Sequence, residues 1–204
     1  MKFVTPSSIL ICGPSMSGKS YFTANLIKHK MFDPWPEIVI WCFSEHQPLF
    51  DSLPGVTFVK GFDSDAIEKR IGARSGLVLI DDLMNEAGSD RKLADFFTKK
   101  VHHRGISVCF LVQRMFPPHT EFRTMSRNTS YLVVFKNPRD RSEIQCLGSQ
   151  VYPKTRFLQE SFHDATQRPH GYIVMNFKQS CDESLRVMTN ILPHEAPVIV
   201  YVRK

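Results

Sequence analysis

The chain has 204 residues, of which 42% are hydrophobic and 23% are charged, and its formal net charge is +6 at pH 7. This length and apolar fraction suit a single domain with a sizeable core, so residues 1–204 are expected to form one α/β domain. No apolar run is long enough for a membrane helix, and the first eight residues lack the apolar core of a signal peptide. We therefore expect a soluble, intracellular protein with no membrane partner.

The cysteines give no sign of a metal site or a disulfide framework. All five are scattered without a Cys-x-x-Cys pair, and three lie inside apolar runs. A reduced cysteine in such a run acts as a small hydrophobic residue. Neither zinc nor disulfides are expected.

The first predicted elements enclose a glycine-rich loop. An apolar strand is predicted at 8–12 and a helix at 21–30, in which Phe22 and Leu26 lie one turn apart. Between them, residues 13–20 read Gly-Pro-Ser-Met-Ser-Gly-Lys-Ser and fit the phosphate-binding loop pattern Gly-x-x-x-x-Gly-Lys-Ser/Thr without a mismatch. The alternative is a chance match in a glycine turn, which leaves the fitting strand and helix on either side unexplained.

This loop predicts a site for a nucleoside triphosphate and Mg²⁺. Backbone N–H groups of such a loop wrap the phosphates, and the helix N-terminus adds partial positive charge. Lys19 would reach the β- and γ-phosphates, and Ser20 would ligate the metal. The predicted nucleotide-binding residues are Gly13, Pro14, Ser15, Met16, Ser17, Gly18, Lys19, Ser20 and Tyr21.

Four more apolar runs follow the loop in chain order. They predict strands at residues 37–43, 76–82, 106–112 and 131–135. Helices are predicted between them at residues 64–71, where Ser64 can form the cap, 89–103 and 120–127. The proline- and glycine-rich region between the second strand and the first of these helices is predicted as a loop.

Beyond residue 138, two helices are predicted at 141–148 and 154–166, and two strands at 171–177 and 198–202. Sequential parallel strands need crossover helices, which cover both faces of the sheet. The predicted fold is therefore an α/β three-layer sandwich of the P-loop NTPase type. Its core is a mainly parallel five-stranded sheet, which the C-terminal strands extend.

Two neighbouring acids end the strand at 76–82. Asp81 lies where a phosphate-loop enzyme holds Mg²⁺ through the water shell of the metal, so it is predicted as a metal residue together with Ser20. Asp82 is placed to orient and deprotonate an attacking water, which is typical of ATPases that hydrolyse ATP for motion. The alternative is an ordinary acidic turn.

Gln113 directly follows the strand at 106–112. The carboxyl ends of parallel strands face the ligand crevice, so its amide could contact the γ-phosphate and report its presence to the loop from Arg114 onward. A glutamine after a strand is also common as a plain loop residue. We include Gln113 among the predicted catalytic residues.

The positive charge is concentrated in one segment of the chain. Residues 91–141 contain eleven basic residues and three acidic ones, so this segment alone carries +8, while the remainder is slightly acidic. Such an excess is typical of a polyanion partner, although a solvated basic face is the commoner origin of charge clusters.

The motifs that carry a resemblance to a known family are residues 13–20, 77–82, 102–113 and 126–128. In their order they resemble the FtsK/HerA superfamily of DNA-pumping ATPases. Within it, the chain looks most like the DNA-packaging ATPases of large eukaryotic DNA viruses of the poxvirus type, of virophages and of Polinton/Maverick elements. The resemblance covers residues 8–191.

The resemblance implies a homo-oligomeric ring, a pentamer or hexamer, around double-stranded DNA, with ATP and Mg²⁺ at each site. It also implies a capsid or portal-vertex protein as a partner, and a location in the nucleus or at a cytoplasmic assembly site of the host cell, with possible association with the virion. An arginine of the neighbouring subunit completes each site in such rings. Arg104 is the first candidate and Arg127 the second, with Arg186 a weaker third.

One residue departs from the family pattern. The superfamily most often has glutamate as the second acid, whereas this chain has Asp82, so either the water lies closer to the strand or Glu86 contributes. The residues proposed to contact the DNA backbone are Arg91, Lys92, Lys99, Lys100 and Arg114.

Two other functions remain open at this stage. A nucleoside or nucleotide kinase shares the phosphate loop and the size, but it also needs an arginine-bearing lid, for which residues 139–141 could be mistaken. A nucleotide-binding assembly factor for a capsid would bind ATP without hydrolysing it. The rate of ATP hydrolysis with and without duplex DNA separates the three functions.

Overall fold

The computed structural model describes residues 1–83, 91–100, 104–116 and 120–203, and at residues 91, 92, 99, 100 and 120 it describes the backbone alone. The strands are β1 (Phe3–Val4), β2 (Ser8–Cys12), β3 (Phe32–Asp33), β4 (Ile38–Phe43), β5 (Val56–Lys60), β6 (Gly76–Asp81), β7 (Ile106–Val112), β8 (Tyr131–Phe135), β9 (Tyr172–Asn176), β10 (Val187–Thr189) and β11 (Ile199–Tyr201). The helices are α1 (Lys19–Lys28), α2 (Ser64–Ile71), α3 (Arg91–Asp95), α4 (Thr120–Arg127), α5 (Ser142–Val151) and α6 (Phe157–Ala165). The described residues also form 3₁₀ turns at Pro48–Ser52, Glu183–Leu185 and Pro193–Glu195.

Within these residues nine strands form one sheet, in the order β11-β10-β9-β8-β2-β7-β6-β4-β5. The six strands from β8 to β5 run parallel, and β9, β10 and β11 are each antiparallel to their neighbours. The predicted parallel core of five strands is therefore confirmed, and so is the prediction that C-terminal strands extend it. A separate small parallel sheet pairs β1 with β3.

The core strands are apolar along their whole length because both faces of the sheet are covered. Alternate residues point to opposite faces, so Leu10 and Ile80 pack with helices α2 to α6 on one face. Ile9 and Leu79 pack on the other face with α1 and the 3₁₀ turn at Pro48–Ser52. The result is the three-layer arrangement expected from the uninterrupted apolar runs.

Three local features differ from the sequence predictions. Residues 56–60 form the edge strand β5 and not a loop, and Val187–Thr189 adds the short strand β10 between the two C-terminal strands that were predicted. Helix α2 has the predicted bounds, but its cap is Asp63, whose Oδ1 accepts hydrogen bonds from the N–H groups of Asp65 and Ala66 (3.0 and 3.2 Å). Ser64 lies inside the first turn.

The predicted helix at 89–103 is seen in part. Arg91–Asp95 is α-helical and continues as a π-helical turn at Phe96–Lys100, in which Phe96 and Phe97 are buried. Residues 84–90 and 101–103 lie outside the described part of the chain. None of the helices that are described is long and apolar enough to cross a membrane.

The topology brings distant segments to one edge of the sheet. The carboxyl ends of the parallel strands lie at this edge, where the residues after β2, β6 and β7 meet. Because β9 is antiparallel to β8, the residues before β9 lie at the same edge, and so do those after β10.

Candidate functional site

The phosphate-binding loop connects β2 to α1 as the sequence predicts. Gly18 has a φ of 105° and Met16 a φ of 62°, so the loop turns through left-handed backbone before the helix begins at Lys19. Gly13 packs too closely for any side chain, since an added Cβ would lie 2.7 Å from Cβ of Phe135 and 2.7 Å from Oγ of Ser17. The close packing of Gly13 against Phe135 fixes the position at which the loop begins.

Lys19 lies across the loop. Its ammonium group donates to the carbonyl oxygens of Gly13 (2.7 Å) and Pro14 (2.9 Å). An ammonium group has three N–H donors, so a third remains for an anion. Burial lowers the pKa of Lys19, and the charge of Asp81 opposes this shift. A partly buried cation at the start of α1 suits the phosphates of a nucleotide.

Ser20 and Asp81 meet at the end of β6. Oγ of Ser20 donates to Oδ2 of Asp81 at 2.9 Å, and Asp81 is 3% exposed. Burial raises the pKa of Asp81, while the hydrogen bond from Ser20 and the charge of Lys19 act in the opposite direction. A hydroxyl oxygen beside a carboxylate is a donor set that suits Mg²⁺, so these two side chains fit the predicted metal site.

Asp82 and Gln113 are brought together by the strand order. Strand β7 lies between β2 and β6, so Gln113 comes between the phosphate loop and the two acids. Nε2 of Gln113 donates to Oδ1 of Asp82 at 3.0 Å. Asp82 is exposed and has a φ of 55°, which turns the chain away from the strand directly after Asp81.

These side chains surround a cavity of about 450 Å³. It is lined by Ser15, Met16, Gly18, Lys19, Ser20, Tyr21, Gln47, Asp81, Asp82, Leu111 and Gln113. Sequence analysis predicted the polar lining except for Gln47. That glutamine follows β4 at the same edge of the sheet, and a polar residue after a core strand is the signal that could have identified it.

A second cavity, of about 360 Å³, adjoins the first through Gly18 and Tyr21. Its other lining residues are Phe22, Phe135, His170, Tyr172, Leu192, His194 and Glu195. Nδ1 of His170 donates to the carbonyl oxygen of Ser17 at 3.1 Å, which joins the turn before β9 to the phosphate loop. Sequence analysis missed this cavity. Its aromatic and apolar lining beside the loop suits a nucleobase.

Glu143 in the first turn of α5 anchors the loop that follows Gln113. Its carboxylate accepts hydrogen bonds from the N–H groups of Met115 (3.1 and 3.2 Å) and Phe116 (3.3 Å). The backbone two residues beyond Gln113 is thus attached to α5. Sequence analysis did not single out Glu143.

The arginines that we predicted to act on a neighbouring subunit lie away from the phosphate site of their own chain. Arg104 precedes β7 and Arg127 ends α4 before β8, so both lie at the edge opposite the phosphate loop, and both are exposed. Arg104 lies 3.5 Å from Glu68 in an ion pair. Arg186 is held by Glu183 and by the carbonyl oxygen of Asn176 (2.7 Å), which leaves it little freedom to reach another subunit.

Several predicted residues cannot be placed. Glu86 and residues 102 and 103, the first two of the motif at 102–113, lie outside the described residues. The same holds for the side chains of the proposed DNA-contacting residues Arg91, Lys92, Lys99 and Lys100. Arg114 is described, and it is exposed directly after Gln113.

No protein-family model and no curated protein matches the sequence, whereas solved structures match the fold. One is the genome-packaging NTPase B204 from Sulfolobus turreted icosahedral virus 2 in complex with ATPγS. It is 12% identical, with a TM-score of 0.53, and the match covers 96% of this chain and 97% of B204. A second comprises ATPases 2 and 3 of EssC from Geobacillus thermodenitrificans (15% identity, TM-score 0.57), covering 90% of this chain and 39% of that one.

A third match is the KaiC-like protein PH0186 from Pyrococcus horikoshii OT3. It is 12% identical, has a TM-score of 0.55, and the match covers 98% of this chain and 91% of that protein. At these identities the likeness shows the fold, which is that of the P-loop NTPases. The predicted fold class is confirmed, and one of the structures with this fold is a viral genome-packaging NTPase.

Proposed function

We propose that this protein is an ATPase that drives double-stranded DNA into a viral or virus-like capsid. The observation that carries the proposal is the arrangement of Lys19, Asp81, Asp82 and Gln113 around one cavity at the carboxyl edge of the sheet. The basic segment at 91–141 and the fold that the chain has in common with a genome-packaging NTPase favour DNA as the polymer that is moved.

The site residues divide the chemistry between them. Lys19 and the loop N–H groups would bind the phosphates of ATP, and Ser20 and Asp81 would hold Mg²⁺, which neutralises charge on the β- and γ-phosphates when bound. Asp82 orients the attacking water and takes its proton. Gln113 holds Asp82 by a hydrogen bond at 3.0 Å and thereby links the acid to the loop at Met115.

The proposal includes a homo-oligomeric ring of five or six subunits within the FtsK/HerA superfamily. An arginine from the neighbour, Arg104 or Arg127, would then neutralise charge on the transferred phosphoryl group. Both are exposed and lie far from the site of their own chain, as a residue that acts on another subunit requires. The capsid or portal-vertex partner and an intracellular site of assembly in the host belong to the same proposal.

The main test is the rate of ATP hydrolysis with and without duplex DNA, for the natural protein and for Asp82→Asn. We expect DNA to stimulate the natural protein and the variant to lose at least about a hundredfold of that rate. Undiminished DNA-stimulated hydrolysis by Asp82→Asn would contradict the assigned role of Asp82. The mass of the particle with an ATP analogue and DNA tests the ring, because a monomer with the full rate would exclude it.

The alternative is a kinase that phosphorylates a nucleoside or nucleotide. Its lid would be residues 139–141, but Oδ1 of Asn137 accepts hydrogen bonds from the N–H groups of Arg139 and Asp140 (3.1 and 3.3 Å). Asp140 in turn accepts from N and Oγ of Ser142 at the start of α5 (2.8 and 2.6 Å). This segment is therefore a hydrogen-bonded turn that leads into α5. Because these bonds fix its conformation, the structure does not favour a lid here. Phosphoryl transfer to a nucleoside without any effect of DNA would favour the kinase.

A further inference from the structure

A wide groove lies between helices α5 and α6 and the connection from β8 to α5. Its volume is about 930 Å³, twice that of the phosphate cavity, and it is lined by residues of all three segments. Ile144 and Phe162 contribute apolar surface from the facing sides of the two helices. The groove contains none of the proposed catalytic residues, and it has no lining residue in common with the cavity beside Tyr21 and His170.

The groove is rich in cations. Lys136 and Arg141 line it from the connection between β8 and α5, and Arg156 lines it from the residue before α6, against a single carboxylate, that of Glu160. Arg141 and Arg156 are exposed, and among the described residues neither forms an ion pair. Further N–H donors come from the side-chain amides of the groove, Asn137, Gln145, Gln159 and Gln167.

One wall of the groove is attached to the phosphate loop. Lys136 follows Phe135, whose Cβ is one of the two atoms that leave no room for a side chain at Gly13. The other wall is α5, which presents Ile144 to the groove and uses Glu143 to hold the loop after Gln113. A ligand in the groove therefore contacts both elements that position the catalytic edge.

We propose that this groove, defined by Lys136, Arg141 and Arg156, binds the phosphate backbone of duplex DNA, and that α5 passes its occupancy to Gln113 through Glu143. The inference rests on the proposed function and names the surface by which DNA would act on hydrolysis. Glu143 is a positioning residue in this scheme, since it touches the loop and not the reacting atoms.

The chemistry of the lining favours a phosphate backbone over an acidic peptide. A phosphodiester backbone presents hydrogen-bond acceptors and negative charge alone, which the cations and amides of the groove match. An extended peptide also presents N–H donors, for which the groove residues offer a single carboxylate, that of Glu160, besides the oxygens of their side-chain amides. Two of the cations in the groove, Lys136 and Arg141, also belong to the basic segment at 91–141.

The test compares the full chain with the variant Arg141→Ala/Arg156→Ala. Anisotropy of a fluorescein-labelled duplex of random sequence gives the affinity at several salt concentrations, and ATPase assays give the basal and DNA-stimulated rates. We expect binding at about 0.15 M salt to weaken at least about tenfold, and the slope of log K against log salt to fall by about 2, because each phosphate contact contributes about 0.9. Basal hydrolysis should stay unchanged.

Matched variants isolate the groove. Lys69→Ala/Arg70→Ala removes two exposed charges from α2 and should leave duplex binding as it is. Arg141→Lys/Arg156→Lys keeps the charge and should retain most of the affinity, which also shows that the fold tolerates change at both positions. Glu143→Ala should bind the duplex normally and lose the stimulation of kcat at unchanged KM, whereas Glu143→Gln, which retains one acceptor oxygen, should keep part of it.

The outcomes separate the groove from the function on which it rests. If Arg141→Ala/Arg156→Ala binds the duplex as tightly as the α2 variant does, the groove assignment fails while the proposed function stands. Binding of polyglutamate, an acidic peptide, is measured in the same way. If Arg141→Ala/Arg156→Ala loses polyglutamate binding but binds the duplex normally, the groove is a peptide site and the proposal is wrong. A natural protein that neither binds duplex DNA nor responds to it would overturn both proposals. Full stimulation of Glu143→Ala would overturn the relay through α5.

Discussion

Gln113 and Asp82 directly follow two adjacent parallel strands, β7 and β6, and Nε2 of the glutamine donates to Oδ1 of the aspartate at 3.0 Å. The contact holds the carboxylate that we propose as the base against the side chain that we propose as the sensor of the γ-phosphate. The side chain of Asp82 is shorter by one methylene than that of glutamate, so its carboxylate stays close to the strand end, within reach of Gln113. Gln113 therefore connects the chemistry at the strand ends to the loop held by Glu143.

The first prediction concerns the amide of Gln113. Gln113→Ala should lower kcat for ATP hydrolysis by about a hundredfold or more, since the base loses its orienting partner, while KM for ATP changes little. Gln113→Glu should be equally impaired, because a second carboxylate at 3.0 Å would repel Asp82. Steady-state kinetics measure both constants. Gln150→Ala, at an exposed glutamine on α5, is the matched control and should behave as the natural protein.

The second prediction concerns the buried carboxylate of Asp81. Its pKa is raised by burial, so the folded chain binds this proton more tightly than the unfolded chain does. Asp81 therefore lowers the free energy of unfolding as the pH rises from about 3.9, the ordinary carboxyl pKa, through the higher pKa of the folded state. Asp81→Asn keeps an oxygen that can accept from Ser20 and removes this cost. At neutral pH the Tm of Asp81→Asn should be at least that of the natural protein, and up to a few degrees higher. The variant should have lost its ATPase activity.

Thermal unfolding across pH gives the sign directly. The difference in Tm between Asp81→Asn and the natural protein should shrink as the pH falls below the ordinary carboxyl range, where Asp81 is protonated in both states. Asp51→Asn, at an exposed aspartate in the 3₁₀ turn, is the matched control for the loss of one carboxylate. A variant that is several degrees less stable at neutral pH would mean that the carboxylate of Asp81 stabilises the fold, in contradiction to its raised pKa.

The parts of the fold that the sequence predicted have strong local signals. Each core strand is a continuous apolar run because both of its faces are buried, and the phosphate loop is a continuous motif between a strand and a helix. The edge strand β5 has no such signal. Its residues are only half-buried, and Gly55 and Gly61 flank it closely, so residues 56–60 were predicted as part of a loop.

The parts of the site that the sequence did not predict are assembled by topology. His170 lies 153 residues after the Ser17 carbonyl that it contacts, and they meet only because β9 runs antiparallel to β8. The contacts of Glu143 span 27 and 28 residues and depend on how α5 packs beside the carboxyl end of β7. No periodicity or spacing within either segment carries this information, whereas Asp81, Asp82 and Gln113 each lie at the end of a recognisable strand or directly after it.

The third prediction concerns the cavity beside Tyr21. The Tyr21 side chain is 60% exposed and lines both the phosphate cavity and the apolar cavity with His170 and Leu192. If the base of ATP lies there, Tyr21→Ala should raise KM for ATP by about tenfold, in line with about 1–3 kcal/mol for stacking of a base on an aromatic ring. The inhibition constant of tripolyphosphate, which has no base, should stay the same.

A matched variant at Met16 makes this test specific. Met16 is 94% exposed and lines the phosphate cavity alone, so Met16→Ala should change neither constant appreciably. Equal losses of ATP and tripolyphosphate binding in Tyr21→Ala would mean that the ring supports the phosphate loop and does not contact a base. In that case the apolar cavity would have no part in nucleotide binding.

The fourth prediction concerns Arg104 and the junction between subunits. In a ring with head-to-tail contacts, one subunit supplies the phosphate loop of a site and its neighbour supplies the arginine. Lys19→Ala should lose nucleotide binding and Arg104→Ala should lose hydrolysis while it still binds ATP. When the two variants are mixed and assembled together, intact sites form wherever the loop of an Arg104→Ala subunit meets the arginine of a Lys19→Ala subunit. ATPase activity should then return well above the sum of the two variants alone.

Arg104 also forms an ion pair with Glu68 in its own chain, and the same experiment distinguishes this structural role from action on a neighbouring subunit. Its ion pair with Glu68 at 3.5 Å is half-exposed on the arginine side and is worth at most about 1 kcal/mol, so breaking it should barely change Tm. If Arg104→Ala hydrolyses ATP at the full rate, Arg104 serves only this surface pair, and the mixing experiment passes to Arg127→Ala. If Arg104→Ala is inactive and mixing with Lys19→Ala restores nothing although mixed rings form, Arg104 acts within its own chain. Since it lies at the opposite edge of the sheet from Lys19, that result would require a route through the fold and not contact with a neighbour's ATP.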